Sequence, residues 1–248
     1  MRAMILAAGL GTRLKPFTDH HPKALAVVNG KTLLQRNVEY LLSYGITDII
    51  VNVHHFANQI IEIVKQNKGW GANITISDET AEVLETGGGL LFAKEYFANE
   101  DRCLVMNADI LTDLNLHHFI LADENFSNAA EGDLVATLAV TNRTSSRNLI
   151  FNAAGTMCGW KNNTTGEEKW ALPLKDPSTA VPKAFSGIQI VHAHFFTAIS
   201  LKGKFSLIDA YLELATHYAI HYFDHSEGQL LDVGKPESLQ KAASIFTL

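Results

Sequence analysis

The segment LAAGLGTRLKP, residues 6–16, places Gly9 and Gly11 directly after an apolar run and just ahead of Arg13 and Lys15. Glycines let a backbone turn tightly and come close to a ligand, with N–H groups aimed at phosphate oxygens. Arg13, and Lys23 further on, can add positive charge to such a cradle. Two carboxylates stand at comparable places later in the chain. Asp109 closes the run VMNAD, and Asp232 follows an apolar pair in LLDVGKPE. An acid at the end of a buried strand is costly unless it is paired, hydrogen-bonded or bound to a metal. Two such carboxylates, with phosphate oxygens and waters, suit Mg²⁺, which takes hard oxygen donors. Each signal also has a plainer reading: a glycine turn, a cap on the next segment, a solvated surface. Spacing alone does not bring Asp109 and Asp232 together.

Several familiar chemistries do not fit. A dinucleotide fingerprint needs a third glycine at position 14, where Leu14 stands. A P-loop needs Gly-Lys-Ser/Thr to close the loop, and that is missing too. Pro16 and Pro22 break the chain after the glycines, so the stretch is expected to stay extended as far as Lys23. FSGIQ, residues 185–189, lacks the form of a nucleophilic serine elbow. Of the eleven histidines, three pairs are adjacent: His20-His21, His54-His55 and His117-His118. Adjacent residues on a strand face opposite ways and chelate poorly. His192 and His194 can share a face, but nothing near them completes a zinc shell.

The chain has 248 residues, room for one sizeable core, and a net charge of −6. Residues 1–38 alone carry +5, which leaves −11 on the remainder. A basic pocket in an acidic protein suits a small polyanion such as a nucleotide and argues against nucleic acid as a partner. No apolar run approaches the roughly 18 residues needed to span a bilayer. The N-terminal run reads as a first strand, not a secretion signal. Cys103 and Cys158 read as buried free thiols, and the expected location is cytoplasmic. Two glycosylation patterns, at Asn142 and Asn163, read as chance matches.

Hydrophobic runs alternate with amphipathic ones through the first half. Strands are expected over 2–8, 48–53, 73–77 and 102–109, with helices over 32–44, 58–66 and 87–97. After residue 132 the pattern changes. A strand over 133–140 leads into residues 141–183, rich in Asn, Thr, Gly and Pro, as hairpins and loops. A strand over 184–191, a helix over 206–217 and a closing helix from Pro236 follow. Repeated β-α-β order predicts a Rossmann-like three-layer α/β/α sandwich on a mixed, mostly parallel sheet. We expect one domain over 1–248, with 141–183 as a flap-like insertion over the sugar side. Ligands in such sheets sit beyond the carboxyl ends of the strands.

LAAGLGTRLKPFT, PKAL, ETGGGL, NAD and DVGKPESL follow one another here in a fixed order. This ordered set resembles the sugar-1-phosphate nucleotidylyltransferases over nearly the whole chain. Within that family, ETGGG and FSGI look most like the N-acetylmuramate-1-phosphate uridylyltransferases, with the mannose-1-phosphate guanylyltransferases next. The resemblance implies a glycosyltransferase-A-like nucleotidyltransferase fold. It also implies transfer of a nucleoside monophosphate from UTP, or GTP as the alternative, to a sugar 1-phosphate. By motif, Leu6, Ala7, Ala8, Gly9, Gly11, Thr12, Arg13 and Lys23 would hold the nucleotide, with Glu85, Thr86, Gly87 and Gly88 against base and ribose. Asn107, Ser186 and Gly187 would line the sugar pocket. Asp109 and Asp232 would bind Mg²⁺, and Arg13, Lys23, Asp109 and Asp232 would be catalytic.

Three positions depart from the family pattern. Ala108 stands where glycine usually precedes the metal aspartate, and Lys235 replaces a common threonine. The Glu-Lys-Pro motif that holds the sugar phosphate in many members is missing, which leaves Lys169, Lys175 and Lys183 as candidates. The acids Asp78, Glu79, Glu82 and Glu85 could read guanine or simply complement the positive end of the following helix. A dinucleotide-dependent oxidoreductase and a catalytically silent nucleotide-sugar sensor are the rival readings. Leu14 disfavours the first, and retention of Arg13, Lys23, Asp109 and Asp232 disfavours the second. Oligomeric state is not legible.

Overall fold

The N-terminal apolar run forms strand β1 (Ala3–Leu6), buried at every residue. Its side chains alternate between two cores. Met4 and Leu6 face one, and Ala3 and Ile5 the other. That alternation follows from the two-residue period of a strand buried on both faces. The computed structural model describes residues 1–130, 133–174 and 176–246.

Between β1 and the first helix lies a short hairpin, β2 (Val27–Val28) with β3 (Lys31–Thr32). Helix α1 (Leu33–Ser43) starts where the Thr32 hydroxyl accepts the Gln35 N–H at 3.0 Å. Then come β4 (Asp48–Val53), α2 (Ala57–Gln66), β5 (Asn73–Asp78), α3 (Glu85–Phe92) and β6 (Arg102–Asn107). They are followed by β7 (Ile110–Thr112), α4 (Leu116–Ala129) and β8 (Leu134–Thr141). Residues 141–183 hold β9 (Arg147–Phe151), β10 (Met157–Asn162) and β11 (Glu168–Trp170). The chain returns through β12 (Val181–His192), α5 (Phe195–Ala198), α6 (Leu207–Leu214), β13 (Ala219–Asp224), β14 (Leu230–Asp232) and α7 (Pro236–Ile245).

Strands β5, β4, β1 and β6 run parallel and side by side. Strand β12 runs antiparallel between β6 and β8, and β13 pairs parallel with β8. Among these seven strands the pairing is thus mixed and mostly parallel, as expected, before the antiparallel arm is added. Helices α1, α2 and α4 cover one face, carrying Leu34, Val38, Ile60 and Phe119 into its core. Helices α3 and α6 cover the other, with Leu90, Leu207, Tyr211 and Leu214. Strands β9, β10 and β11 extend the sheet as an antiparallel arm from the first residues of β12, and Phe151 and Met157 join the second of these cores. No described helix is long and apolar enough to cross a membrane.

Two local expectations change. The stretch after the glycines is not extended. It forms three short 3₁₀ turns, Thr12–Leu14, Phe17–Asp19 and Lys23–Leu25. Pro16 and Pro22 each immediately precede a turn, consistent with a residue that stops an α-helix yet fits at the start of a single turn. The helix expected over 87–97 divides into α3 and a separate 3₁₀ turn, Lys94–Phe97.

At the end of β6 opposite Asn107 lies a buried ionic cluster. Asp123 of α4 has no exposed side-chain surface. It accepts from Arg102 at 2.7 Å, from Thr137 at 2.7 Å, and lies 3.1 Å from His192 Nε2.

Candidate functional site

A cavity of about 540 Å³ opens beyond the carboxyl ends of β1, β4 and β6. Its wall includes Leu6, Ala7, Ala8, Gly9, Gly11, Thr12, Arg13 and Lys23 from the N-terminal segment. Glu85 and Thr86 at the start of α3, and Asn107 and Asp109 after β6, complete much of the rest. That volume suits a nucleotide-sized ligand.

Local packing explains the N-terminal turn. Gly11 has φ +62°, and a Cβ there would lie 2.9 Å from both Lys23 and Thr18 side chains. Thr18 locks the turn by donating its hydroxyl to the Gly11 carbonyl at 3.0 Å. Leu14, which breaks the dinucleotide pattern, is 1% exposed and packs in a third core with Val28, Leu33, Leu111 and Val233. The residue at position 14 therefore anchors the loop to the region of β14 and α7. Its side chain does not line the cavity.

Asn52, the one amide in the apolar strand β4, holds the start of the turn. Its Oδ1 accepts the N–H of Ala7 at 2.6 Å and of Ala8 at 3.3 Å. Its Nδ2 donates to Glu79 Oε1 at 2.8 Å. The Ala7 and Ala8 N–H groups are thus taken up within the protein, which leaves the glycine portion of the loop to meet a ligand. Asn52→Ala is expected to destabilise the fold by about 1–3 kcal/mol, because buried donors lose their acceptor. Equilibrium urea unfolding measures it, and an unchanged midpoint would contradict the structural role.

The carboxylates meet. Strand β14 pairs antiparallel with β7, setting Asp232 opposite Ile110, and the Val233 N–H donates to the Asp109 carbonyl at 2.8 Å. Both side chains then reach the same ammonium. Lys23 Nζ bonds directly to Asp109 Oδ2 and lies 3.8 Å from Asp232 Oδ1. Arg13 stands 3.9 Å from Asp232 Oδ2. Partial burial and the neighbouring Asp109 charge push the Asp232 pKa above the ordinary carboxylate range, against the pull of Lys23 and Arg13. Two carboxylates crowded in this way are hard oxygen donors that favour a further cation. The pair fits a divalent ion such as Mg²⁺, which keeps waters in its remaining positions.

Other expected positions fall differently. Gly87 and Gly88 are buried and turned from the cavity, with their N–H groups on the Phe205 carbonyl at 3.0 and 3.1 Å. A Cβ at Gly88 would lie 2.2 Å from the Gly203 carbonyl oxygen. These glycines let α3 press against the segment before α6. Ser186 is fully buried, and its hydroxyl is held 2.8 Å from His225 Nε2, so it does not face a sugar. Gly187 does adjoin Asn107: a Cβ there would meet Asn107 Nδ2 at 2.8 Å. Ala108 is 5% exposed and packs in the core with Ile110 and Leu114, while still bordering the cavity between Asn107 and Asp109. Lys235 is exposed at the start of α7.

The three lysines considered for the sugar phosphate separate. Lys183 is buried and bonded to Asp224 at 2.5 Å and Asn142 at 2.7 Å. Lys169 lies on β11 and pairs with Asp209 of α6 at 3.3 Å. Lys175 lies outside the described residues. Sequence reasoning missed Asn52, His54 and Lys204, all on the cavity wall, which also holds Glu79, one of the acids considered for reading guanine. Asn52 had a signal, a polar side chain in the apolar run DIIVNV.

Residues 2–148 match the family described as Nucleotidyl transferase. The N-acetylmuramate alpha-1-phosphate uridylyltransferase of Caulobacter vibrioides is 45% identical over 94 residues, 37% of this chain and 38% of that protein. The mannose-1-phosphate guanyltransferase of Yarrowia lipolytica is 29% identical over 99% of this chain and 64% of its own length. The chain thus spans less than two thirds of either relative. Among solved structures, HddC from Yersinia pseudotuberculosis in complex with GMP-PN superposes with a TM-score of 0.76 at 24% identity, covering 99% of both chains. A UDP-glucose pyrophosphorylase from Acinetobacter baumanii superposes at 0.73 with 19% identity, covering 98% of this chain and 91% of that one. At these identities the superpositions speak for the fold alone.

Proposed function

We propose, from the premise that this chain belongs to the nucleotidyl transferase family, that it moves a nucleoside monophosphate from a nucleoside triphosphate onto a sugar 1-phosphate. The observation that carries this reading is the convergence of Asp109 and Asp232 on Lys23 and Arg13 beside a glycine-turn cavity. A phosphate oxygen of the sugar 1-phosphate attacks the α-phosphorus in line. The bond from that phosphorus to the bridging oxygen breaks, and pyrophosphate leaves with the electron pair. The nucleophile is already anionic, so no base is needed and no covalent enzyme intermediate forms.

The difficulty is electrostatic. Two unit charges about 4 Å apart repel by roughly 4 kcal/mol at an effective dielectric of 20. Arg13 and Lys23 counter that repulsion from one side of the cavity and stabilise charge developing on the leaving phosphates. Members of this family generally use a divalent metal, and Asp109 and Asp232 would hold it here as Mg²⁺. When bound, the ion supplies charge neutralisation to the approaching phosphates. The glycine turn, tied down through Asn52 and Thr18, positions the triphosphate.

We take UTP as the donor, on the 45% identity to a uridylyltransferase across a shared segment. GTP is the second reading. The side chain of Glu79 lines the cavity, 3% exposed, with Oε2 lacking a partner among the described residues. An acceptor there favours a base edge rich in donors. Pyrophosphate release, measured across the four common triphosphates and a panel of sugar 1-phosphates, tests the reading. No release with any pair would overturn it.

Lys23→Ala is expected to lower kcat by about 10²-fold or more, with base preference unchanged. An effect confined to the choice of triphosphate would contradict its phosphate role.

A further inference from the structure

The acceptor phosphate needs a cation of its own. Lys23 is bonded to Asp109, Arg13 stands beside Asp232, and both line the cavity proposed above for the donor triphosphate. Lys183 is locked to Asp224, and Lys169 sits out on β11. Arg143 differs from all of these. It leaves the end of β8 just past Thr141, next to the bulge in β12 between Phe185 and Gln189. The next strand across is β6, which delivers Asn107 and Asp109. The end of β8 is therefore two strands from the carboxylate pair, on the side away from the glycine turn.

Two neutral acceptors fix the guanidinium. Its NH1 donates to Thr141 Oγ1 at 3.1 Å, and its NH2 donates to the Phe185 carbonyl at 2.7 Å. No carboxylate among the described residues pairs with it. The residue is open to solvent, yet the surrounding protein partly desolvates it and lowers its pKa, with the charge of Asp232 opposing. A cation that is accessible, partly desolvated and electrostatically within reach of Asp232 thus stands at the same edge of the sheet as the carboxylates. Its loop is tied down. Asn142 accepts from Lys183, and its N–H donates to Ser226 Oγ at 2.8 Å.

We infer that Arg143 holds the phosphate of the sugar 1-phosphate, with its remaining N–H groups on the phosphate oxygens. This rests on the nucleotidyl transfer proposed above. Arginine suits the task because its planar fork stays charged and binds phosphate oxygens in pairs. Lys183 then acts as a positioning residue that steadies the loop through Asn142.

The test compares wild type, Arg143→Ala and Arg143→Lys, using the sugar 1-phosphate that wild type turns over. Arg143→Ala should raise KM for the sugar 1-phosphate by about ten- to a hundredfold and leave KM for the triphosphate within about twofold. Arg143→Lys should recover part of the loss, since it keeps the charge without the fork. It also serves as the probe if the alanine variant fails to fold by circular dichroism. An unchanged KM for the sugar 1-phosphate, or a rise confined to the triphosphate, overturns the assignment. A wild type that releases no pyrophosphate overturns the transfer reaction instead. Calorimetric titration with mannose 1-phosphate and N-acetylmuramate 1-phosphate then still decides the clamp. Binding by wild type that survives in Arg143→Ala, or no binding by wild type, refutes it.

Discussion

Replacing Asp109 or Asp232 by Asn is expected to lower turnover by about 10²- to 10³-fold while leaving the protein folded. The substitution is nearly isosteric, and the backbone bond that aligns the two residues, Val233 N–H to the Asp109 carbonyl, involves no side chain. What disappears is charge. The Asp232 carboxyl, raised by burial and by its neighbour, no longer shares a site with a second negative group, and the hard-donor pair is halved. Calorimetric Mg²⁺ titration in the presence of triphosphate should show weaker binding in both variants. Unfolding midpoints should stay close to wild type, because Asp232 is substantially open to solvent and Lys23 keeps one carboxylate in either variant. Near-normal turnover in either variant would remove that residue from the site.

Asp123→Ala is expected to destabilise the fold strongly, by about 3–5 kcal/mol, without touching the cavity. Asp123 is completely buried and gathers Arg102, Thr137 and His192. Its removal leaves the buried Thr137 hydroxyl without its acceptor and the part-buried Arg102 guanidinium with Glu124 alone. For a chain of this size the loss corresponds to a fall in Tm of roughly 10 °C. Burial alone would raise the Asp123 pKa, but His192, Thr137 and Arg102 outweigh it and hold it below the ordinary carboxylate value. A carboxyl depressed in the folded state stabilises the fold at pH above its unfolded pKa, near 3.9. That contribution is lost as pH falls through the lower folded value. Wild type should therefore lose stability more steeply on acidification below about pH 4 than Asp123→Ala does. Thermal unfolding across that range measures the difference, and parallel curves would exclude the linkage. The cluster lies at the far end of β6, so kcat per folded molecule should not change.

These expectations differ in how far the sequence alone could support them. The runs that became β1, β4, β5 and β6 were legible because a strand covered on both faces must be apolar nearly throughout. The helices between them were legible because their apolar residues recur at helical spacing. That order fixes the parallel half of the sheet and places residues 6–16, 85–86 and 107–109 at one end of it. The second half was less legible. Strand β12 enters antiparallel, and β8 and β13 attach to it through pairings remote in the chain, which no local pattern encodes.

At the site, residue types were readable and their surroundings were not. The ordered motifs singled out Arg13, Lys23, Asp109 and Asp232, and folding brought all four to one ammonium and its neighbours. The motif glycines at 87 and 88 looked equally ligand-facing, yet their lack of a Cβ serves the contact between α3 and the segment before α6. Ser186 has a hydroxyl, but His225 holds it in the core. Asn52 and Arg143 belong to no expected motif, and their positions follow from which strand ends lie side by side. The amino-acid sequence by itself determined the alternation of strands and helices and the chemical groups available at the strand ends. Only the tertiary structure decided which of those groups meet, which are buried and which stay open. Contact and desolvation depend on distances in space, and most of those distances join residues far apart along the chain.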